Sequence, residues 1–350
     1  MTTKYTQVPS SDVTSAIDAA RAGIAADVDA VRPPKLAAVV LGGGYGRGEG
    51  GVLHTPDGDK LYNDLDFFVF TDGAGRRDRD RIAEALRPVS EKWEKRLNVA
   101  VDFSPAKNFT NLRSVARTLM FQELVRGWRP VWGDVDLDRL IPALEPEKLP
   151  FSEAARLLLN RGMGLFFAGE HLADGVNDAD FIVRNLHKAA LGAGDALLLA
   201  VKKYRWRGAE RLEALREYAQ DTALPPEFVA GYERAWRYKL EPRPVLPDDP
   251  WAMWKKNRLF LLEAFRRISG AGSAADASAV ARGLHERAAR ERSWKNPLRR
   301  LRGRCPGTCA VLFDPPVVTV AALLCAALTA ATADAPRYPA QLYRLWLKFN

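Results

Sequence analysis

The segment from Leu36 to Thr71 constrains the fold more than any other part of the chain. It opens with the apolar run Leu36–Leu41, continues through the glycine-rich stretch Gly42–Gly51, and ends in a second apolar run, Phe67–Phe70. Short apolar runs bounded by glycine and polar residues predict buried strands, and the second run is typical of a strand buried on both faces. We therefore predict two strands joined by a glycine-rich turn and a polar loop from His54 to Tyr62.

Two carboxylates stand at the beginning of the second strand. Asp64 and Asp66 flank Leu65, and the alternation of side chains along a strand turns both aspartates to the same face. Neighbouring carboxylates at the mouth of a buried strand are costly unless a positive charge lies between them. A divalent metal is the simplest such charge, so we predict that both residues bind metal.

Together these features resemble the nucleotidyltransferase superfamily typified by DNA polymerase β. The resemblance rests on Gly43-Gly44, on Arg47-Gly48-Glu49, and on Asp64-Leu65-Asp66 inside an apolar strand. The chain departs from the family in two places. Gly44 stands where other members have serine, and the distance from the glycines to Asp64 is longer than usual, with Pro56–Lys60 as an inserted turn.

The resemblance implies a complete active site. A third carboxylate, Asp102 in the strand Val99–Ser104, would join Asp64 and Asp66 as catalytic residues and ligands of two Mg²⁺ ions. The implied substrate is a nucleoside triphosphate, ATP being favoured, whose phosphates would contact the backbone at Gly43 and Gly44. Arg47 would either contact phosphate or brace the turn by pairing with Glu49 or another nearby acid.

Two other phosphate-binding motifs are excluded by their context. Gly46–Gly51 formally fits G-x-G-x-x-G, but that fingerprint must open a helix, and a loop follows here. A P-loop is excluded because no Gly-Lys-Ser/Thr is present.

The fold class predicted is α+β, with a small mixed-sheet nucleotidyltransferase domain at residues 1–148 and an all-helical domain at residues 149–350. In the first domain, the apolar spacing predicts helices at Val13–Val31, Arg79–Lys95 and Leu112–Val125, with Pro88 kinking or splitting the second. Strand signals disappear after Phe151. The helices predicted there are Ser152–Leu172, Ala179–Tyr204, Ala209–Ala219, Glu227–Leu240 and Trp251–Ile268.

The helical part is similar to the bundle of aminoglycoside-type and poly(A)-type nucleotidyltransferases. That similarity makes Lys188, Asp195, Lys202 and Tyr204 candidates for the site, and the basic and tyrosine side chains among them for contact with the triphosphate. An exposed helix face with ordinary charges is an alternative interpretation of the same residues. Arg299–Arg304 is interpreted as a solvated basic turn.

Composition limits the partners and the compartment. The net charge of +9 favours acidic partners such as nucleotides, although solubility alone also explains it. Three cysteines are too few for a disulfide framework, and the N-terminus lacks a signal-peptide apolar region, so we expect a cytoplasmic protein. The apolar run 317–333 contains three threonines and predicts a buried helix, so we expect no stable membrane association.

The implied activity is transfer of a nucleoside monophosphate from a triphosphate to a hydroxyl, with release of pyrophosphate. The acceptor stays open among a small molecule, a protein hydroxyl and an RNA 3′ end, with nucleic acid less favoured because no RNA-binding module is recognisable. A second hypothesis is a catalytically silent nucleotide-binding or antitoxin-like regulatory protein on the same fold.

Overall fold

The computed structural model describes residues 4–274, 276–306, 309–332 and 337–349. The protein is α+β, and its chain forms two compact units. The first unit extends to Glu145 and also includes Arg237–Arg243, a segment that the sequence analysis assigned to the helical domain. The second unit contains 146–236 and 244 onward.

The first unit is built on a mixed sheet. Its strands, in chain order, are β1 Leu36–Leu41, β2 Val52–Thr55, β3 Gly58–Leu61, β4 Leu65–Thr71, β5 Val101–Phe103, β6 Lys107–Asn108 and β7 Arg129–Gly133. The main sheet has the order β5-β4-β1-β7, with β6 also pairing with β4. β1 is antiparallel to both β4 and β7, whereas β5 is parallel to β4. The predicted strands at the two apolar runs are confirmed, and they lie next to each other in the sheet.

Helices cover both faces of this sheet. They are α1 Ser11–Val31, α2 Gly43–Gly46, α3 Arg76–Leu97, α4 Leu112–Val115, α5 Leu119–Leu124 and α6 Leu137–Leu140. Alternate residues of β4 enter different cores: Phe67 and Val69 pack with α1 and α3, while Phe68 and Phe70 pack with α4–α6. This alternation confirms the prediction that β4 is buried on both faces.

The N-terminal helices follow their sequence signals. The Ser10 hydroxyl accepts a hydrogen bond from the Val13 N–H and so caps α1. α3 is a single helix through Pro88, so the predicted division into two helices is wrong. Its buried face, which includes Ile82 and Trp93, holds the helix against the core and offsets the one backbone hydrogen bond that proline cannot make.

Two predicted segments are wrong in detail. The polar loop from His54 to Tyr62 is the hairpin β2–β3, whose turn uses Gly58 at φ +110°. The helix predicted at Leu112–Val125 is divided into α4 and α5, because the backbone is extended at Thr118, with ψ 146°. The buried Gln122 side chain donates to the Ala116 carbonyl and so satisfies an acceptor where the chain leaves α4.

The second unit is helical, as expected. Its helices are α7 Phe151–Ala173, α8 Ala179–Ala200, α9 Gly208–Thr222, α10 Pro226–Leu240, α11 Pro250–Ser269, α12 Ala277–Arg287, α13 Asn296–Gly303, α14 Pro316–Ala330 and α15 Ala340–Phe349. The last part of α10 belongs to the first unit.

Three observations in this unit bear on the predictions. α8 ends at Ala200 and not at Tyr204, because Lys202 adopts a left-handed conformation with φ 62°. The basic stretch Arg299–Arg304, predicted as a turn, lies mostly in α13. The apolar run after Val317 forms the buried helix α14, and Ala333 lies outside the described residues. None of the described helices has the length and apolar character needed to cross a membrane.

Candidate active site

The parallel pair β4–β5 brings the three predicted carboxylates together. Asp66 and Asp102 are register partners in this pair, and the Leu65 N–H donates to the Ala100 carbonyl over 2.9 Å. Asp64 immediately precedes β4. One carboxylate oxygen from each aspartate lies within 4.8 Å of the others. The expected convergence of Asp102 with Asp64 and Asp66 is confirmed.

The cluster concentrates negative charge. Asp64 and Asp66 are half-buried, and Asp102 is exposed. The pKa of the Asp102 carboxyl is raised, first because protein atoms displace water from it, and then because the carboxylates of Asp64 and Glu94 repel its charge. A cation bound among the three carboxylates would remove this repulsion.

The donor set fits a hard divalent cation. All three groups are carboxylates, and Mg²⁺ prefers carboxylate and water oxygens. The predicted Mg²⁺ ligands are therefore compatible with the geometry, and metal binding itself stays a prediction.

The glycine turn lies directly against Asp66. The Gly42 N–H donates to the Asp66 carbonyl over 2.8 Å. Gly43 has φ +61°, and a Cβ atom there would stand 1.9 Å from Asp66 Oδ2. Only glycine avoids both the backbone strain and this clash. Gly44 differs, because a Cβ atom there would meet nothing closer than 3.5 Å. The position that holds serine in the resembled family thus has room for a small side chain.

A tyrosine that the sequence analysis did not select joins the glycine turn to the carboxylate strand. The Tyr45 hydroxyl donates to the Gly51 carbonyl over 2.7 Å and accepts from the Tyr62 N–H over 3.0 Å. The Asn63 side-chain oxygen accepts from the Gly51 N–H over 2.7 Å. Burial raises the pKa of Tyr45 to about 12, so its hydroxyl stays protonated. We call these hydrogen bonds the Tyr45 clamp.

Arg47 braces the turn through ion pairs. Its guanidinium lies 3.3 Å from the Glu123 carboxylate in α5 and 4.0 Å from that of Glu49. The expected partner Glu49 is thus present, although Glu123 is closer. Glu49 is buried and also pairs with the Lys239 ammonium at 2.9 Å. Lys239 belongs to the segment Arg237–Arg243, which is part of the first unit. Because Lys239 is far from Glu49 along the chain, no local sequence pattern predicted this ion pair.

The remaining predicted nucleotide-binding residues lie in the second unit. The Lys202 ammonium donates to the Leu149 carbonyl over 2.8 Å, and burial lowers its pKa. Tyr204 is buried, and its hydroxyl accepts from Arg211 over 3.0 Å. Lys188 is half-buried on α8. Nucleotide contacts by these three residues stay predictions.

The chain was compared with protein-family models, curated proteins and solved structures. None of the three comparisons found a match.

Proposed function

We propose that the protein is a metal-dependent nucleotidyltransferase. It would move a nucleoside monophosphate from a nucleoside triphosphate, favoured to be ATP, to a hydroxyl acceptor and release pyrophosphate. The observation that carries the proposal is the convergence of Asp64, Asp66 and Asp102 on adjacent parallel strands, directly beside Gly43. The resemblance of the glycine and Asp-x-Asp motifs to the polymerase β superfamily agrees with this arrangement.

The aspartates hold the metal and one of them moves a proton. Asp64, Asp66 and Asp102 would bind Mg²⁺, which when bound neutralises phosphate charge and activates the attacking oxygen. Asp102, the exposed carboxylate of the three, would accept the proton of the attacking hydroxyl.

The glycine turn positions the phosphates. Glycines without side chains let the phosphate oxygens approach the backbone N–H groups of Gly43 and Gly44, which act as donors. The Arg47 guanidinium is committed to Glu123 and Glu49 and stabilises the turn.

The test is transfer of label from α-phosphate-labelled ATP. The full-length protein, Mg²⁺ and cell extract are incubated with the labelled nucleotide, and label is followed in small-molecule, protein and RNA fractions together with pyrophosphate. Asp64→Asn and Asp66→Asn should each abolish transfer while the fold persists, because each removes one metal-binding charge and relieves repulsion. Protease and nuclease treatment of the labelled product then assign the acceptor class.

Asp72→Asn provides the matched control. Asp72 is exposed and follows the opposite end of the same strand, β4. Its substitution changes the net charge by the same amount and should leave transfer unchanged. Near-normal turnover in either triad variant would refute the metal assignment, and absence of transfer with all four ribonucleotides would refute the enzymatic proposal.

A further inference from the structure

The helix α13 of the second unit turns its leucines outward. Leu298 and Leu301 are exposed, with Leu301 at 76% of its full accessibility. The residues that face inward are instead Asn296 and Arg300, spaced four apart, followed by Gly303. This is the reverse of the arrangement expected for a helix on the surface of a globular protein.

A buried arginine fixes this orientation. One terminal nitrogen of Arg300 donates to the Pro306 carbonyl over 2.9 Å, and the other donates to the Thr319 hydroxyl over 2.8 Å and to the Asp314 carbonyl over 3.2 Å. Rotating α13 to bury its leucines would expose Arg300 and break these bonds. The outward orientation of the leucines is thus fixed by the hydrogen bonds of Arg300.

Two more large exposed apolar side chains belong to the segments that meet at the beginning of α13. Trp294 is 71% exposed and Phe313 is 48% exposed. The two segments are joined because the Phe313 carbonyl accepts from the Ser293 N–H over 3.0 Å and from the Asn296 side chain over 2.9 Å. We define the α13 patch as the exposed residues Trp294, Leu298, Leu301 and Phe313 with the cations Lys295, Arg299 and Arg302.

The patch carries positive charge without compensation. Of the six basic residues in 292–313, Arg292 pairs with Asp314 at 2.7 Å and Arg300 is buried. The other four, which are Lys295, Arg299, Arg302 and Arg304, are exposed. Within the described part of the chain, no carboxylate lies at ion-pair distance from Lys295, Arg299 or Arg302. Exposed cations interleaved with tryptophan and leucine are complementary to a partner whose outer layer is anionic and whose interior, a few ångströms deeper, is apolar.

We propose that the α13 patch binds the surface of an anionic phospholipid bilayer. The cations would contact lipid phosphates while Trp294 and the leucines enter the boundary between headgroups and acyl chains. A nucleic acid would satisfy the cations but would leave the leucines in water. Because α13 is only eight residues long, the contact would be peripheral, reversible and sensitive to salt. The proposal is independent of the proposed enzymatic function.

Vesicle co-sedimentation of the full-length protein tests it. The protein should sediment with vesicles of phosphatidylcholine mixed with phosphatidylglycerol, should not sediment with phosphatidylcholine alone, and should be released by high salt. Arg302→Gln should lower the partition coefficient about five-fold, the effect of one cation near an anionic surface. Leu301→Glu should abolish sedimentation, since it places a carboxylate where the chain would enter the bilayer.

Matched substitutions elsewhere in the same unit distinguish an effect specific to the α13 patch from a general effect of changed charge or hydrophobicity. Arg207→Gln and Val245→Glu change residues that are also highly exposed, and both variants should bind like the parent. Vesicle binding should shift the total tryptophan emission to shorter wavelength and allow quenching by brominated lipids. Because Trp294 is one of nine tryptophans, its share is the part of this change that Trp294→Phe removes.

Three results would overturn the proposal. The first is equal vesicle binding by the parent, Arg302→Gln and Leu301→Glu. The second is retention on duplex DNA or RNA without binding to anionic vesicles, which would assign the patch to nucleic acid. The third is a parent dimer that Leu301→Glu converts to a monomer, which would assign it to a second copy of the chain.

Discussion

Gly43 and Gly44 are adjacent glycines with different spatial requirements, and this difference gives a test at the scale of single residues. In Gly43→Ala, the new methyl group would overlap Asp66 Oδ2 and the residue would keep a left-handed backbone. Displacing a catalytic carboxylate by about 1 Å can lower a rate about 100-fold. We therefore expect Gly43→Ala to reduce transfer about 100-fold and to weaken Mn²⁺ binding in titrations.

Gly44→Ala serves as the control in the same turn, because its methyl group would make only ordinary contacts with the backbone near Glu49. Its transfer rate should stay within a few-fold of the parent. Equal losses of transfer rate in the two variants would contradict this prediction. They would show that the whole turn excludes side chains, and that the close approach of Gly43 to Asp66 is not the specific cause.

At the scale of elements, the sequence predicted the helices and strands whose apolar residues recur with the spacing of the face or faces that the element buries. The runs of β1 and β4 are apolar on both faces, and the inward face of α1 repeats Ile17, Ile24 and Val28 at helical spacing. The hairpin β2–β3 was missed because its buried residues are one cross-strand pair at its open end, Val52 and Leu61, while the rest of it is mostly polar and only partly buried or exposed. A mostly polar hairpin has too weak an alternation to be distinguished from a loop.

The Tyr45 clamp gives the prediction at this scale, since it connects α2 to the beginning of β4. Tyr45→Phe keeps the ring but leaves the Gly51 carbonyl and the Tyr62 N–H without their partner in a buried setting. The free energy of unfolding should fall by roughly 2 kcal/mol. If the clamp also positions Asp64, kcat should fall more than KM rises.

Tyr62→Phe is the control for this prediction. It removes a hydroxyl that pairs with the Tyr238 hydroxyl, while the Tyr62 N–H still donates to Tyr45. A kcat as low as that of Tyr45→Phe in this control would contradict a specific role for the clamp, and so would an unchanged kcat in Tyr45→Phe itself.

For the whole molecule, local patterns predicted the buried strands and the pair Asp64 and Asp66, which stand at the beginning of β4, just before and within it. Asp102, in the next strand along the chain, was implied by the family resemblance. Contacts between distant segments had no such signal. Lys239 pairs with Glu49, which is 190 residues away along the chain, and the residue pattern of neither segment predicts this pair. α13 was also missed, since its inverted burial places Arg300 where an apolar residue is expected.

The stability of the whole molecule should depend on pH through His187. This histidine is buried on α8, and burial, followed by the nearby Arg234 cation, lowers its pKa from 6.5 to about 4. The folded protein therefore favours the neutral ring. The stability that this preference contributes is fully present above pH 6.5 and is lost as pH falls toward 4, amounting to roughly 3 kcal/mol.

Urea titrations at neutral and acidic pH measure this dependence. His187→Gln cannot take up the proton, so the loss of stability between pH 7 and pH 4 should be smaller than in the parent by roughly 3 kcal/mol. His54→Gln is the control of opposite sign, because hydrogen bonding to Asp59 raises the pKa of the exposed His54 and makes protonation favourable in the folded state. That variant should lose slightly more stability than the parent on acidification. Identical pH slopes for the parent and His187→Gln would mean that His187 takes up its proton as readily in the folded protein as in the unfolded chain.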